Sequence, residues 1–354
     1  IENQVSAWLL GGISMDWKKN MEPIDFSALH DYLLEDEDGN ILPMDAPYFK
    51  EKKIAPGTWQ ILSHGDYSYL IEGDDEAILI DSGIGCGSVR KFCEELTGKP
   101  VYRMLLTHNH YDHTVNNYLF DVVYMSPKCY EKRWDAMGSM MSVLDVPVDY
   151  PVVFLHDGDT INLKGRELQV FNIEEHCSGS LQFLDKKERI LFCGDELNGN
   201  FFDSRISVEH SFRNVARWKS FRNEYDTLCA GNGIHDAVYV DRYYDTLKYI
   251  LEGHAGEGEE YYVPHEDARS KVSELDGKKV HLRRSPDMDM VADAMKAAGM
   301  EKFLELTDGR GCFCFLRKLT PDGMFDRQLE MNDCKVCYYM NRIWDEKEER
   351  GSVI

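Results

Sequence analysis

The sequence predicts an α+β chain in which two β-sheets pack together and are covered by helices. Two observations carry this. From about residue 57 onward, short apolar blocks alternate with Gly- and Asp-rich turns, and helical stripes follow the blocks. Apolar residues make up 43% of the 354-residue chain and aromatics 12%, enough for a sizeable core rather than a disordered chain. The length exceeds one average domain. Changes in sequence character divide it into an N-terminal extension (1–56), a main domain (57–254) and a small α+β C-terminal extension (255–354).

Residues 1 to about 54 show no regular pattern and close on the Pro56-Gly57 turn. Trp59–Leu62 and Tyr67–Ile71 read as strands, and Ala77–Asp81 as a third strand running into Ser82-Gly83-Ile84-Gly85. Val89, Phe92, Cys93 and Leu96 share one face of a helix that Gly98 stops. Val101–Leu106 is a buried strand. Asp157–Leu163 and Glu167–Ile173 pair around Lys164-Gly165, and Ser180–Leu184 with Arg189–Cys193 forms a hairpin. Phe212, Val215, Trp218, Phe221 and Tyr225 form one helical stripe. A strand near Leu228 and the turn Gly231-Asn232-Gly233 follow it. Gly256–Glu260 reads as a linker, Asp287–Leu306 as a helix and Cys312–Leu316 as a strand.

Lys and Arg total 40 against 63 Asp and Glu, a formal net charge of -23. Such a surface repels phosphate backbones and anionic headgroups, so neither nucleic acid nor membrane is an expected partner. The apolar run Ala7–Ile13 is too short to span a bilayer, and no basic leader precedes a signal-like segment. Ten scattered cysteines read as reduced thiols, which gives a cytoplasmic expectation. Cys312, Cys314, Cys334 and Cys337 fall close enough for a structural zinc site, but the stronger reading is small buried hydrophobes.

Thr107-His108-Asn109-His110-Tyr111-Asp112-His113 places three imidazoles and a carboxylate within six residues, at the end of a buried strand. Imidazole and carboxylate are ligands preferred by zinc and similar divalent ions. At a strand-to-helix turn, His108 and His110 can serve one ion while Asp112 and His113 serve another. His176 follows a strand and precedes a small-residue turn, and His235 follows a Gly-rich one. Asp195 ends the apolar strand Ile190–Cys193, where a carboxylate is costly without a strong partner. A carboxylate able to bridge two ions, with two more imidazoles, completes a pair of ligand shells.

The His-x-His-x-Asp-His cluster followed by His176, Asp195 and His235 resembles the metallo-β-lactamase superfamily. The likeness is closest to its dinuclear branch of glyoxalase II-like thioesterases and lactonases, and covers roughly residues 57–254. The resemblance implies a four-layer αββα sandwich with two divalent ions at one sheet edge, zinc first and iron or manganese as alternatives. It assigns His108, His110 and His176 to one ion, Asp112, His113 and His235 to the other, and Asp195 as the bridge. Asp81 matches a position that orients the ligands. The turn after His176 is Cys-Ser-Gly-Ser where relatives more often carry Thr-Pro-Gly-Ser.

The implied activity is hydrolysis of a small ester, lactone, thioester or amide by an activated bridging water, with Asp112 or Asp195 passing a proton to the leaving group. The expected partner is a small-molecule substrate, and assembly as a homodimer stays open. A small-phosphodiester phosphodiesterase and a non-catalytic metal-binding scaffold are the competing functions. A redox iron pair is disfavoured by His110, where diiron relatives tend to carry a carboxylate. Trp134–Val143 and Asn198–Phe202 are candidate pocket walls.

Overall fold

The structure is a computed structural model that describes residues 32–36, 38–42, 49–63, 66–83, 88–133, 149–197, 201–203, 206–260, 273–275, 278–284 and 327–345. Its strands are, in chain order, β1 (Tyr32–Asp36), β2 (Ile41–Leu42), β3 (Lys50–Ala55), β4 (Thr58–Ser63), β5 (Asp66–Glu72), β6 (Ala77–Ile80) and β7 (Arg103–Leu105). There follow β8 (Val122–Met125), β9 (Val152–Phe154), β10 (Thr160–Asn162), β11 (Glu167–Phe171), β12 (Gln182–Asp185), β13 (Ile190–Gly194) and β14 (Phe201–Asp203). The last are β15 (Thr227–Ala230), β16 (Gly233–Asp236), β17 (Glu259–Glu260), β18 (Ser273–Leu275), β19 (Lys278–Arg284), β20 (Arg327–Met331) and β21 (Cys334–Tyr338). The α-helical segments are α1 (Val89–Thr97), α2 (Tyr111–Thr114), α3 (Pro127–Glu131), α4 (Val208–Ser220) and α5 (Val238–Tyr249).

Strands β3 to β9 form one seven-stranded sheet in sequence order, antiparallel as far as β6 and parallel from β6 to β9. The second sheet has six strands in the order β10-β11-β12-β13-β15-β16, with β13 and β15 parallel. Strand alternation sorts the side chains into layers. Ile71, Ile78, Ile80 and Leu105 face Leu168, Val170, Phe183 and Phe192 between the two sheets. On the opposite face of the first sheet, Leu70, Leu79, Met104 and Val123 meet Val89 and Cys93 of α1 and Cys129 of α3. Beyond the second sheet, Leu191 and Leu228 meet Val215 and Trp218 of α4 and Val240, Tyr243 and Leu247 of α5. This is the expected αββα sandwich. Both faces of each sheet are covered, so the central strands read as continuous apolar runs. Burial of each Leu, Ile or Phe contributes about 1.5–3 kcal/mol.

Local signals place the helices. The Ser88 side chain accepts from Lys91 N at the start of α1, and Gly98 closes it in a left-handed conformation with φ 68°. The stripe through Tyr225 is shorter as a helix than its periodicity predicts. Helix α4 ends at Ser220, and Phe221 and Tyr225 enter the same core from a following 3₁₀ turn.

Other expectations change. The first sheet begins at β3, inside the segment that shows no pattern, because Lys50-Glu51-Lys52-Lys53 is an exposed edge strand with no apolar alternation. Gly256–Glu260 is not a free linker. Glu259 and Glu260 pair with Gln328 and Arg327, and β14-β21-β20-β17 form a four-stranded sheet. Leu329, Cys334, Val336 and Tyr338 of this sheet share the core of α4 and α5. Farther out, β1 and β2 join β18 and β19 in a sheet of their own.

Cys334 and Cys337 are buried. Three residues apart on β21, they point to opposite faces, and neither belongs to a metal-ligating group among the described residues. Cys312, Cys314, the Cys312–Leu316 strand and the Asp287–Leu306 helix lie outside the described residues, as do Trp134–Val143 and Asn198–Asn200. Among the described residues no helix is long and apolar enough to cross a membrane.

Candidate metal centre

The C-terminal ends of β6, β7, β11, β13 and β15 lie along one edge of the sandwich, and each is followed by a residue or turn of the candidate site. Asp81 follows β6, the histidine cluster follows β7, His176 follows β11, Asp195 follows β13 and Gly231 follows β15. The chain turns sharply at several of these points. Asp81 has φ 59° and Gly194 φ 54°, conformations that Asp tolerates better than most side chains and Gly adopts freely. A Cβ on Gly194 would fall 2.5 Å from Thr107 Oγ1, so this close approach of the two sheets requires glycine.

Four imidazoles pack together at this edge. The ring centroid of His108 lies 4.2 Å from that of His113, 4.5 Å from that of His110 and 5.0 Å from that of His176. His110 Nδ1 and His176 Nε2 are 2.9 Å apart. Asp195 reaches both sides, with Oδ1 3.4 Å from His113 Nε2 and Oδ2 3.7 Å from His176 Nε2. Two groups of ligand atoms converge closely enough to hold an ion: His108, His110 and His176, and His108, His113 and Asp195.

Hydrogen bonds around these rings fix which nitrogen faces inward. Asp81 accepts from Thr107 N and from the Thr107 hydroxyl, both at 2.7 Å, and its Oδ2 lies 2.8 Å from His113 Nδ1. The Thr107 hydroxyl has spent its one hydrogen on a carboxylate. Its contact of 3.1 Å with His108 Nδ1 therefore has the imidazole as donor. His108 and His113 thus carry their Nδ1 hydrogens outward, as metal-binding imidazoles commonly do. Both Nε2 atoms are buried, that of His108 with no hydrogen-bond partner and that of His113 with Asp195 Oδ1 at 3.4 Å but no aligned hydrogen bond. A buried polar atom of this kind is costly unless something completes it.

The electrostatics agree. Burial, with the neighbouring rings of His113, His110 and His176, holds His108 well below the usual histidine range, so it is a neutral lone-pair donor. Burial also disfavours a charged His113, but Asp195, Asp81 and Asp112 outweigh it and raise its pKa well above the usual range. For Asp195, burial is outweighed by His113 and then His176 and His108, which hold the carboxyl well below the usual range. The carboxylates that draw a proton onto His113 are suited to holding a divalent cation. Gly231 completes the cradle, since a Cβ there would fall 2.3 Å from Asp195 Oδ1 and 3.0 Å from His113 Cε1. Buried Nε2 atoms, an ionised carboxylate and a glycine-lined space make this donor set fit a divalent metal.

Of the seven predicted ligands, the structure gathers His108, His110, His113, His176 and Asp195 into those two groups. Asp112 stands beside them, its Oδ2 4.0 Å from His113 Nε2. His235 belongs to neither group. It lies half-buried on β16, and its Nε2 is 2.9 Å from Asn232 Oδ1. Burial lowers its pKa from the usual value. Thr107, Gly231, Tyr69 and Glu196 also shape the site, although residue type and order assign them no role. The Tyr69 hydroxyl of β5 lies 2.6 Å from Ala230 O and 3.1 Å from Gly233 O, so the first sheet holds the turn that precedes His235. Glu196 is buried behind Asp195, and burial pushes its carboxyl up to about 7 against the backbone N–H groups it accepts. A second acidic residue directly after Asp195 was the available signal.

A layered αββα fold with imidazoles and a carboxylate gathered at one strand edge defines a metal-centre class of protein. Residues 64–232 match the family model of the metallo-beta-lactamase superfamily. The chain is similar to the human acyl-coenzyme A thioesterase MBLAC2, at 29% identity over 175 residues, covering 39% of this chain and 62% of the relative. It is also similar to a hydroxyacylglutathione hydrolase of Francisella tularensis, at 29% identity over 135 residues, covering 37% of this chain and 47% of that protein. The matches thus span less than two thirds of these relatives. Among solved structures, a beta-lactamase domain protein from Burkholderia ambifaria aligns with TM-score 0.46 at 17% identity, covering 66% of this chain and 84% of that one.

Proposed function

We propose that this protein is a metal-dependent hydrolase of small thioesters. The observation that carries the reading is the pair of buried Nε2 atoms of His108 and His113, aimed inward with Asp195 between the imidazole groups. The names of two sets of relatives, a thioesterase and an acylglutathione hydrolase, favour a thioester over other carbonyl substrates.

His108, His110 and His176 would hold one ion, and His113 with Asp195 a second, with Asp112 beside it. Divalent ions held here supply Lewis acidity, polarising a carbonyl and making water acidic enough to attack near neutral pH. The chain's own residues prepare the rest. Asp81 and Thr107 lock the tautomers of His113 and His108, so no reorganisation is needed when the site is used. Asp195 stays ionised in the cluster and orients His113 and His176. Asp112, with its side chain 27% exposed, can exchange a proton with solvent or with a departing thiolate.

The test is turnover of an acyl-thioester panel, with a lactone, an amide and a small phosphodiester alongside, before and after chelation. Thioester turnover lost on chelation, restored by zinc and absent from His110→Ala supports the reading. Chelator-insensitive turnover, or activity confined to the phosphodiester, contradicts it.

A further inference from the structure

The chain directly after β13 does two jobs with two adjacent carboxylates. Asp195 faces the imidazoles, whereas the side chain of Glu196 turns into the protein and is 1% exposed. A tight turn, with Glu196 N donating to Cys193 O at 3.1 Å, separates the two directions. Glu196 Oε2 accepts from Glu175 N at 3.0 Å and from His176 N at 2.9 Å, and Oε1 accepts from Cys177 N at 3.4 Å. Three successive backbone N–H groups therefore converge on one buried carboxylate, and the middle one belongs to His176 itself. A carboxylate is an expensive residue to bury, and charge-assisted hydrogen bonds of this kind offset the cost.

We propose that Glu196 is a positioning residue that fixes the backbone of His176, setting where its imidazole meets His110 and Asp195. The proposal rests on His176 being a metal ligand. Other contacts hold the flanks of this loop: Asn214 Nδ2 donates to Glu174 O at 2.9 Å, and the Tyr243 hydroxyl donates to Glu175 Oε1. Glu196 acts on the ligand's own peptide and its two neighbours. Its carboxylate thereby ties Asp195, one residue before it, to the loop of the imidazole that Asp195 faces. A shift of the loop moves one partner of the His176–Asp195 pair relative to the other.

The experiment uses metal-stripped full-length protein titrated with zinc, and with cobalt(II), whose visible absorption reports the ligand set. Unfolding temperatures of the metal-free forms are measured beside it, which separates loss of fold from loss of ligand geometry. Removing an outer-shell partner of a metal ligand weakens affinity by about 10–100-fold, and Glu196→Ala is expected in that range with an altered cobalt spectrum. Glu196→Gln keeps an amide oxygen that can accept from Glu175 N and His176 N, and is expected to recover most of the affinity. Wild-type affinity and spectrum in Glu196→Ala, whatever its unfolding temperature, would overturn the proposal. Should the alanine variant not fold, Glu196→Asp serves in its place. Its shorter arm is expected to bind more weakly than Glu196→Gln, and wild-type affinity there is equally contradictory. His176→Ala is the control, because wild-type affinity in that variant overturns the ligand assignment rather than the role of Glu196.

Discussion

Two histidines reach this edge of the molecule from different kinds of support, and only one arrives in the cluster. The loop of His176 is tied down from three sides: Asn214 and Arg217 of α4 bond Glu174 O and Asn172 O, Tyr243 of α5 bonds Glu175, and Glu196 bonds the loop backbone. His235 sits on β16, the edge strand of its sheet, and its imidazole meets Asn232 Oδ1 instead of the ligand group. The turn before it is held through Tyr69 and through Tyr67 N donating to Gly231 O at 2.9 Å. A ligand is in place before an ion binds when its backbone is fastened by side chains from several elements. A ligand at a sheet edge, with a polar neighbour of its own, has to give up that neighbour first.

The most disruptive test of this contrast is Gly231→Ala in the turn before His235, because the added methyl would sit against Asp195 and His113. Metal affinity is expected to fall by about 100-fold or more, as when a bound ion's ligands are displaced, while circular dichroism stays native. Retained zinc affinity would contradict so tight a cradle. Next in size are the ligand variants themselves. His176→Ala should lose an ion, whereas His235→Ala should retain it, and calorimetric zinc titration reads both. The reverse pattern breaks the comparison.

Smaller effects sharpen it. Tyr243→Phe removes a hydrogen bond to a buried carboxylate and is expected to cost about 1.5–3 kcal/mol of stability, read by urea denaturation. Tyr69→Phe removes a neutral hydroxyl from the two carbonyls of the other turn, an expected loss of about 0.5–1.5 kcal/mol. Equal costs would mean that the two supports are equally strong.

Much of this was legible in the residues, for identifiable reasons. Metal-binding chemistry concentrates in a few residue types, so the run from His108 to His113 announces itself. The central strands, such as β6 and β13, are apolar throughout and bounded by turns, which makes them easy to read. β3 was hidden because an exposed edge strand of lysines carries no apolar signal. The return of β20 and β21 to α5 was hidden because pairing with the distant β14 and β17 leaves no local trace. At the site, residue type and order place His235 with the other ligands but do not show that its Nε2 lies beside Asn232 Oδ1. Glu196 was missed for the opposite reason: its role lies in backbone N–H groups about twenty residues away, and backbone groups carry no sequence signature.

His108, His110, His113, His176 and Asp195 form a prepared site for divalent metal. Metal content per chain, measured by elemental mass spectrometry on freshly purified protein beside His110→Ala, tests it most directly. About one to two zinc, iron or manganese ions per chain are expected in the native protein, lost or halved in the variant. Protein that holds no such metal and takes none up on dialysis against zinc would contradict it.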